Sequence, residues 1–75
     1  MTPQEMKQRL ALAFPDGKIE VTDLTGGQDH YEVFVGSTQL AGLTRIEQHQ
    51  KVMAAFSDEL KTGEVHALSI RTKAL

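Results

Sequence analysis

Three histidines, His30, His49 and His66, are the side chains in this 75-residue sequence best suited to metal or proton chemistry. There is no cysteine. That excludes disulfides, thiolate zinc sites, a cysteine nucleophile and an all-cysteine iron–sulfur site built by this chain alone. His66 stands in GEVHALSI, Gly63 to Ile70, at the mouth of an apolar run. A neutral imidazole there suits zinc, iron or copper. A strand histidine with a partly buried ring and one hydrogen-bonded nitrogen suits the position as well, and is the commoner arrangement. One histidine does not make a metal site, so a second ligand is needed. His30 follows TGGQD and is the best second candidate. Taken alone, it reads as an exposed loop histidine beside Asp29. A third strand lying beside the first or second would bring His30 and His66 to neighbouring edges. His49 lies three residues after Ile46 and four before Met53, so it leans towards an apolar stripe and reads as a packing residue.

Other chemistries find less support. There is no H-E-x-x-H pair for a zinc protease. TGGQD is glycine-rich, but it lacks the G-x-x-x-x-G-K-[ST] pattern and precedes a strand, where a phosphate loop would open a helix. The serines and threonines sit in no nucleophile–base–orienter arrangement, so an enzyme is not expected. AGLTRIEQHQK could be the turn and second helix of a helix-turn-helix. Arg45 and Lys51 would then face phosphates, while Gln48 and Gln50 would reach base edges. Glu47 and a formal net charge of −2 oppose this, because phosphate binding depends on neutralising many charges. A solvated helix face used in partner contact fits better.

The elements that must position these residues are legible. Thr2, Pro3 and Glu5 form a helix start with a capping box. Met6, Leu10, Ala13 and Phe14 recur at helical spacing on one face, and PDG at Pro15 to Gly17 ends the helix. KIEVTDL alternates apolar and polar residues, with Ile19 and Val21 on one side. HYEVFVG is a second strand with Tyr31, Val33 and Val35 on one face, and the two strands form a hairpin. Thr44 and Glu47 predict a second capping box. The helix that follows carries Ile46, Met53, Phe56 and Leu60 as its expected core stripe, with Val52 beside it. Ser57 and Asp58 are weak helix formers that could split off a short third helix, and Gly63 stops it. EVHALSIRT is the third strand, with His66, Leu68 and Ile70 on one face and Val65, Ala67 and Ser69 on the other. The expected architecture is α+β, ordered α-β-β-α-α-β, with a three-stranded sheet covered by helices on one face.

Length and composition set the outer bounds. The chain is long enough for one domain, 1–75. Its 40% hydrophobic residues suffice for one core, and its 24% charged residues are ordinary for a globular protein. No apolar run approaches the roughly 20 residues needed to span a bilayer, so no membrane association is expected. The polar N-terminus resembles neither a secretory signal nor a transit peptide, and a cytoplasmic location follows as the expectation.

Several of these stretches together resemble the BolA family. GLTRIEQHQKVMAAFSDELKTGEVHALSIRTKA is similar to the family's hallmark segment, and GGQDHYEVFV to its loop and second strand. The resemblance implies a fold like class II KH domains. It implies a partner, a monothiol glutaredoxin of the CGFS type, with which a [2Fe–2S] cluster is shared. The glutaredoxin cysteine and glutathione would supply thiolates. His66 matches the C-terminal histidine ligand, and His30 is the histidine available in the loop ahead of the second strand. No cluster is expected on the isolated protein, which would be a monomer or weak homodimer. The implied role is cluster trafficking or iron homeostasis. The alternative, from a transcriptional and stress-response role of some relatives, is DNA binding through Arg45, Gln48 and Lys51. The family also includes organellar members.

Overall fold

Capping chemistry sets where the helices begin. In the computed structural model, which describes residues 1–24, 26, 30–65 and 67–75, helix α1 spans Pro3–Ala13. The Thr2 hydroxyl accepts the Glu5 N–H at 3.1 Å, and the Glu5 carboxylate accepts the Thr2 N–H at 2.9 Å. These bonds hold the Glu5 carboxyl below its ordinary range. Thr44 and Glu47 repeat the box at the start of α2, Arg45–Ala54. A third helix, α3, spans Ser57–Thr62 and ends at Gly63. Gly63 has φ 83°, a left-handed conformation that costs an L-residue roughly 1–2 kcal/mol.

Strands β1, Lys18–Asp23, and β2, His30–Ser37, pair antiparallel from Lys18↔Gly36 to Asp23↔Tyr31. Strand β3, Ala67–Ala74, runs parallel to β2 from His30↔Ala67 to Ser37↔Ala74. The parallel pairing requires a crossover, which α2 and α3 supply. The sheet order is β1-β2-β3, so the expected α+β architecture is borne out. Ile19, Tyr31, Val33 and Val35 from the sheet and Met6, Leu10, Val52 and Phe56 from the helical layer share one core. No helix among the described residues is long and apolar enough to cross a membrane.

Three expectations need correction. Ile46 and Met53 do not face the core: they are 71% and 42% exposed, whereas Val52 and Phe56 are buried. The inward row of α2 is Gln48–Val52, an i, i+4 pair whose first member is polar. The chain then turns at Phe56 (φ −122°, ψ 23°), so one stripe cannot be carried through both helices. Ala13 is exposed, and Phe14 takes the inward place. Val65 precedes β3 and is buried in the core, its N–H donating to the Glu59 carbonyl at 3.1 Å. As described, β3 spans Ala67–Ala74, and it continues to Ala74 because the end of β2 still offers it partners.

Between β2 and α2, the connector contains a 3-10 turn, Thr38–Leu40, that the residue pattern did not announce. Asp16 anchors it. The Ser37 hydroxyl donates to Asp16 Oδ1 at 2.9 Å, and the Thr38 N–H and hydroxyl donate to Oδ2 at 2.9 and 2.6 Å. The Thr38 bonds, with the Ser37 bond behind them, lower the Asp16 carboxyl from 3.8 to about 2. A depressed carboxyl contributes stability above its unfolded pKa, and that contribution is lost as pH falls through the folded value. Asp16→Ala is therefore expected to be less stable than the parent at neutral pH. The gap should close between about pH 4 and pH 2, as read from urea midpoints across that range. A gap that stayed constant with pH would remove the charged carboxylate from the explanation.

Candidate functional site

Of the three histidines, the structure describes His30 and His49. His30 is the first residue of β2 and half-buried. Its carbonyl accepts the Leu24 N–H at 2.9 Å, which closes the hairpin end of the sheet. Neighbouring Tyr31 is buried in the core and donates its hydroxyl hydrogen to the Met1 carbonyl. Strand alternation therefore sets His30, with Glu32 and Phe34, on the face away from the helices. In the parallel ladder, His30 stands opposite Ala67, the first residue of β3. His66 lies outside the described residues, as do Thr25 and positions 27–29 of the loop. In sequence it is the residue bonded to Ala67. Among the described residues, no group of three or more histidines and carboxylates is placed to hold a metal ion.

His49 sits elsewhere. It is half-buried and lines a groove of about 330 Å³ with Arg45, Ile70, Arg71 and Thr72, between α2 and β3. It is a wall residue of that groove.

The nucleic-acid set divides in the structure. Arg45 and Lys51 are exposed on α2. Gln48 turns inward. Its amide nitrogen donates to the Leu40 and Leu43 carbonyls at 3.2 and 3.3 Å, and its carbonyl accepts the Thr72 hydroxyl at 2.5 Å. Both amide hydrogens are thus engaged. The Thr44 N–H of its capping box holds the Glu47 carboxyl below its ordinary range. The residue that sequence reasoning missed is Arg71, which is 76% exposed in its side chain and 3.5 Å from the Glu32 carboxylate. No local pattern marks it, because its place beside Arg45 and His49 depends on the order of the strands.

Comparison with known proteins decides the family. A model of the family described as BolA-like protein matches residues 11–75. The chain belongs to the BolA-like family. It is similar to the uncharacterized protein RP812 of Rickettsia prowazekii (strain Madrid E), with 38% identity over 96% of this chain and 92% of the relative. The solution structure of that BolA-like protein superposes with a TM-score of 0.74 at 36% identity, covering 100% of this chain and 96% of the other. Protein BOLA2 of Arabidopsis thaliana is 36% identical over 95% of this chain and 75% of its own length. The BolA domain of SufE1 from the same plant matches with a TM-score of 0.84 at 27% identity, covering 95% of this chain and 88% of that domain. The α-β-β-α-α-β arrangement described above is thus the BolA fold.

Proposed function

We propose that this BolA-like protein is a non-enzymatic adaptor that pairs with a monothiol glutaredoxin and shares a [2Fe–2S] cluster with it. Its role would lie in iron–sulfur cluster trafficking or iron regulation in the cytoplasm. The observation that carries the reading is the register of β2 against β3. It stands His30 beside Ala67, the residue that follows His66, at one end of the sheet. His30 opens β2, and the residue opposite it, Ala67, is the one that follows His66 in sequence.

The donor set fits such a cluster as a shared group. This chain offers imidazoles and has no thiol, so the thiolates come from the glutaredoxin cysteine and glutathione. His66 is the principal ligand in this reading, and His30 is the second. When bound, such a cluster supplies a redox centre and a transferable iron–sulfur unit, with a higher potential than all-thiolate ligation gives. An imidazole binds metal in its neutral form.

The test mixes apo-protein with cluster-loaded glutaredoxin and glutathione and records visible circular dichroism. The expected result is a new spectrum that is lost in His66→Ala and altered in His30→Ala. An unchanged spectrum on mixing would remove the reading. A spectrum that survived both substitutions would remove the ligand assignment.

A further inference from the structure

The sheet has two outer edges, and the two differ in what surrounds them. A trough beside β1 is walled by α1 and lined by Lys7 and Glu20, which carry opposite charges. The groove beside β3 is lined by Ile70, Arg71 and Thr72 together with Arg45 and His49 of α2. Successive strand residues point to opposite faces. A groove that touches three consecutive residues therefore runs along the edge of the strand, against its backbone. Among the described residues, no strand pairs with that edge.

The backbone groups on that edge can be assigned. The Leu75 N–H donates to the Ser37 carbonyl at 3.1 Å, so at odd positions of β3 the N–H and C=O face β2. In a parallel ladder the intervening residues face the other way. Ile70 and Thr72 therefore present their N–H and C=O groups to the groove. The far wall is held at a fixed distance, because the Thr72 hydroxyl bonds to Gln48 of α2. An edge strand facing a helix across a preformed slot is the geometry in which an extended peptide adds as a further strand.

Charge selects the kind of peptide. Among the described residues, Arg45, Arg71 and His49 line the slot and no carboxylate does, although the whole chain carries a formal charge of −2. Arg71 approaches Glu32 at 3.5 Å, but that pair is solvent-exposed. Such pairs are worth about 0–1 kcal/mol, so the guanidinium can exchange partners. Single-stranded nucleic acid is the other extended anion. KH folds hold it with a G-x-x-G loop, and no G-x-x-G occurs in this sequence.

We infer that the groove between β3 and α2 binds an acidic, extended peptide segment of a partner protein, added as a fourth strand on β3, with carboxylates of its helix-side face on Arg45 and those of its opposite face on Arg71. This extends the partner face of the adaptor reading. Its test contains neither iron nor glutaredoxin, so failure here leaves cluster sharing standing.

The experiment titrates the full-length 15N-labelled chain at low salt with three probes. They are a short capped peptide of repeated Glu-Glu-Val-Val, which presents glutamates on both faces of an extended strand, its lysine counterpart, and a short oligothymidylate. The acidic peptide is expected to shift the amides of Ile70 to Lys73 and Arg45 to His49. At a concentration ten times its Kd it should slow hydrogen exchange at Ile70 and Thr72 roughly tenfold, because only about a tenth of the edge remains open. Arg45→Glu and Arg71→Glu should each weaken binding about tenfold, a typical loss for one charged contact. Lys7→Glu, in the other trough, should leave binding unchanged. The inference is overturned by equal binding of the lysine peptide or the oligothymidylate. Shifts without slowed exchange at Ile70 and Thr72, or no binding at millimolar peptide, would overturn it too. Should a variant lose its dispersed spectrum, the exchange result on the parent protein still decides.

Discussion

Phe56→Ala is expected to remove most of this protein's folding stability at ambient temperature. Phe56 is fully buried at the turn between α2 and α3, in the cluster that joins Met6 and Leu10 of α1 to Val33 and Val35 of the sheet. Truncating a buried phenylalanine to alanine costs about 3–5 kcal/mol through lost transfer energy and an unfilled cavity. The ring also lies under the Arg9 guanidinium, 6.0 Å from the ring centroid. Arg9 in turn donates to the Ala55 carbonyl at 3.3 Å and pairs with Glu59. Removing the ring therefore exposes the underside of the contact that fastens α1 to α3. Single domains have about 5–15 kcal/mol in total, and small ones sit near the bottom of that range. With a urea m-value of about 1 kcal/mol/M, the midpoint should fall by roughly 3 M or more. Ile46→Ala is the control. Ile46 belongs to the stripe that periodicity selects, yet it is 71% exposed, and its truncation should stay within about 0.5 kcal/mol of the parent. Equal losses at the two positions would mean that the helix is turned differently from the description above.

That contrast shows where sequence reasoning ran out. Caps, turns and strand alternation are local, and they were legible. Thr2–Glu5 and Thr44–Glu47 close both capping boxes. Gly63 takes the left-handed conformation, and Tyr31, Val33 and Val35 turn inward together. The rotation of α2 was not legible, because its inward row opens on a glutamine and periodicity counts only apolar residues. The 3-10 turn depends on Asp16, about twenty residues away in sequence, and no local pattern predicts it. The site divided in the same way. His30 and His66 could be named as residue types, but which strand lies beside which could not be read from the residues. The parallel pairing of β2 with β3 sets Ala67 opposite His30. Arg71 was invisible for the same reason: only an edge strand next to α2 turns it into a neighbour of Arg45.

Gln48 separates a structural from a nucleic-acid role, and Gln48→Ala is expected to act on stability alone. The side chain joins three parts of the fold: the connector through the Leu40 and Leu43 carbonyls, α2 through its own backbone, and β3 through Thr72. Each hydrogen bond of this kind contributes about 0.5–1.5 kcal/mol net. The site is half-buried, so water can satisfy part of what is left behind. A loss of about 2 kcal/mol follows from three such bonds, seen as a lower urea midpoint with an unchanged m-value. A glutamine that read a base edge would behave in the opposite way. Its truncation would leave stability within about 0.5 kcal/mol of the parent and remove about 1–3 kcal/mol of sequence discrimination on duplex DNA. Measuring both quantities on one variant distinguishes the cases. Lost stability with unchanged affinity for duplex DNA would assign Gln48 to the frame that holds α2 against β3. Arg45 and Lys51 would then be the exposed cations left to an interaction on that helix, and two phosphate contacts are too few for the steep salt dependence of a dedicated DNA binder.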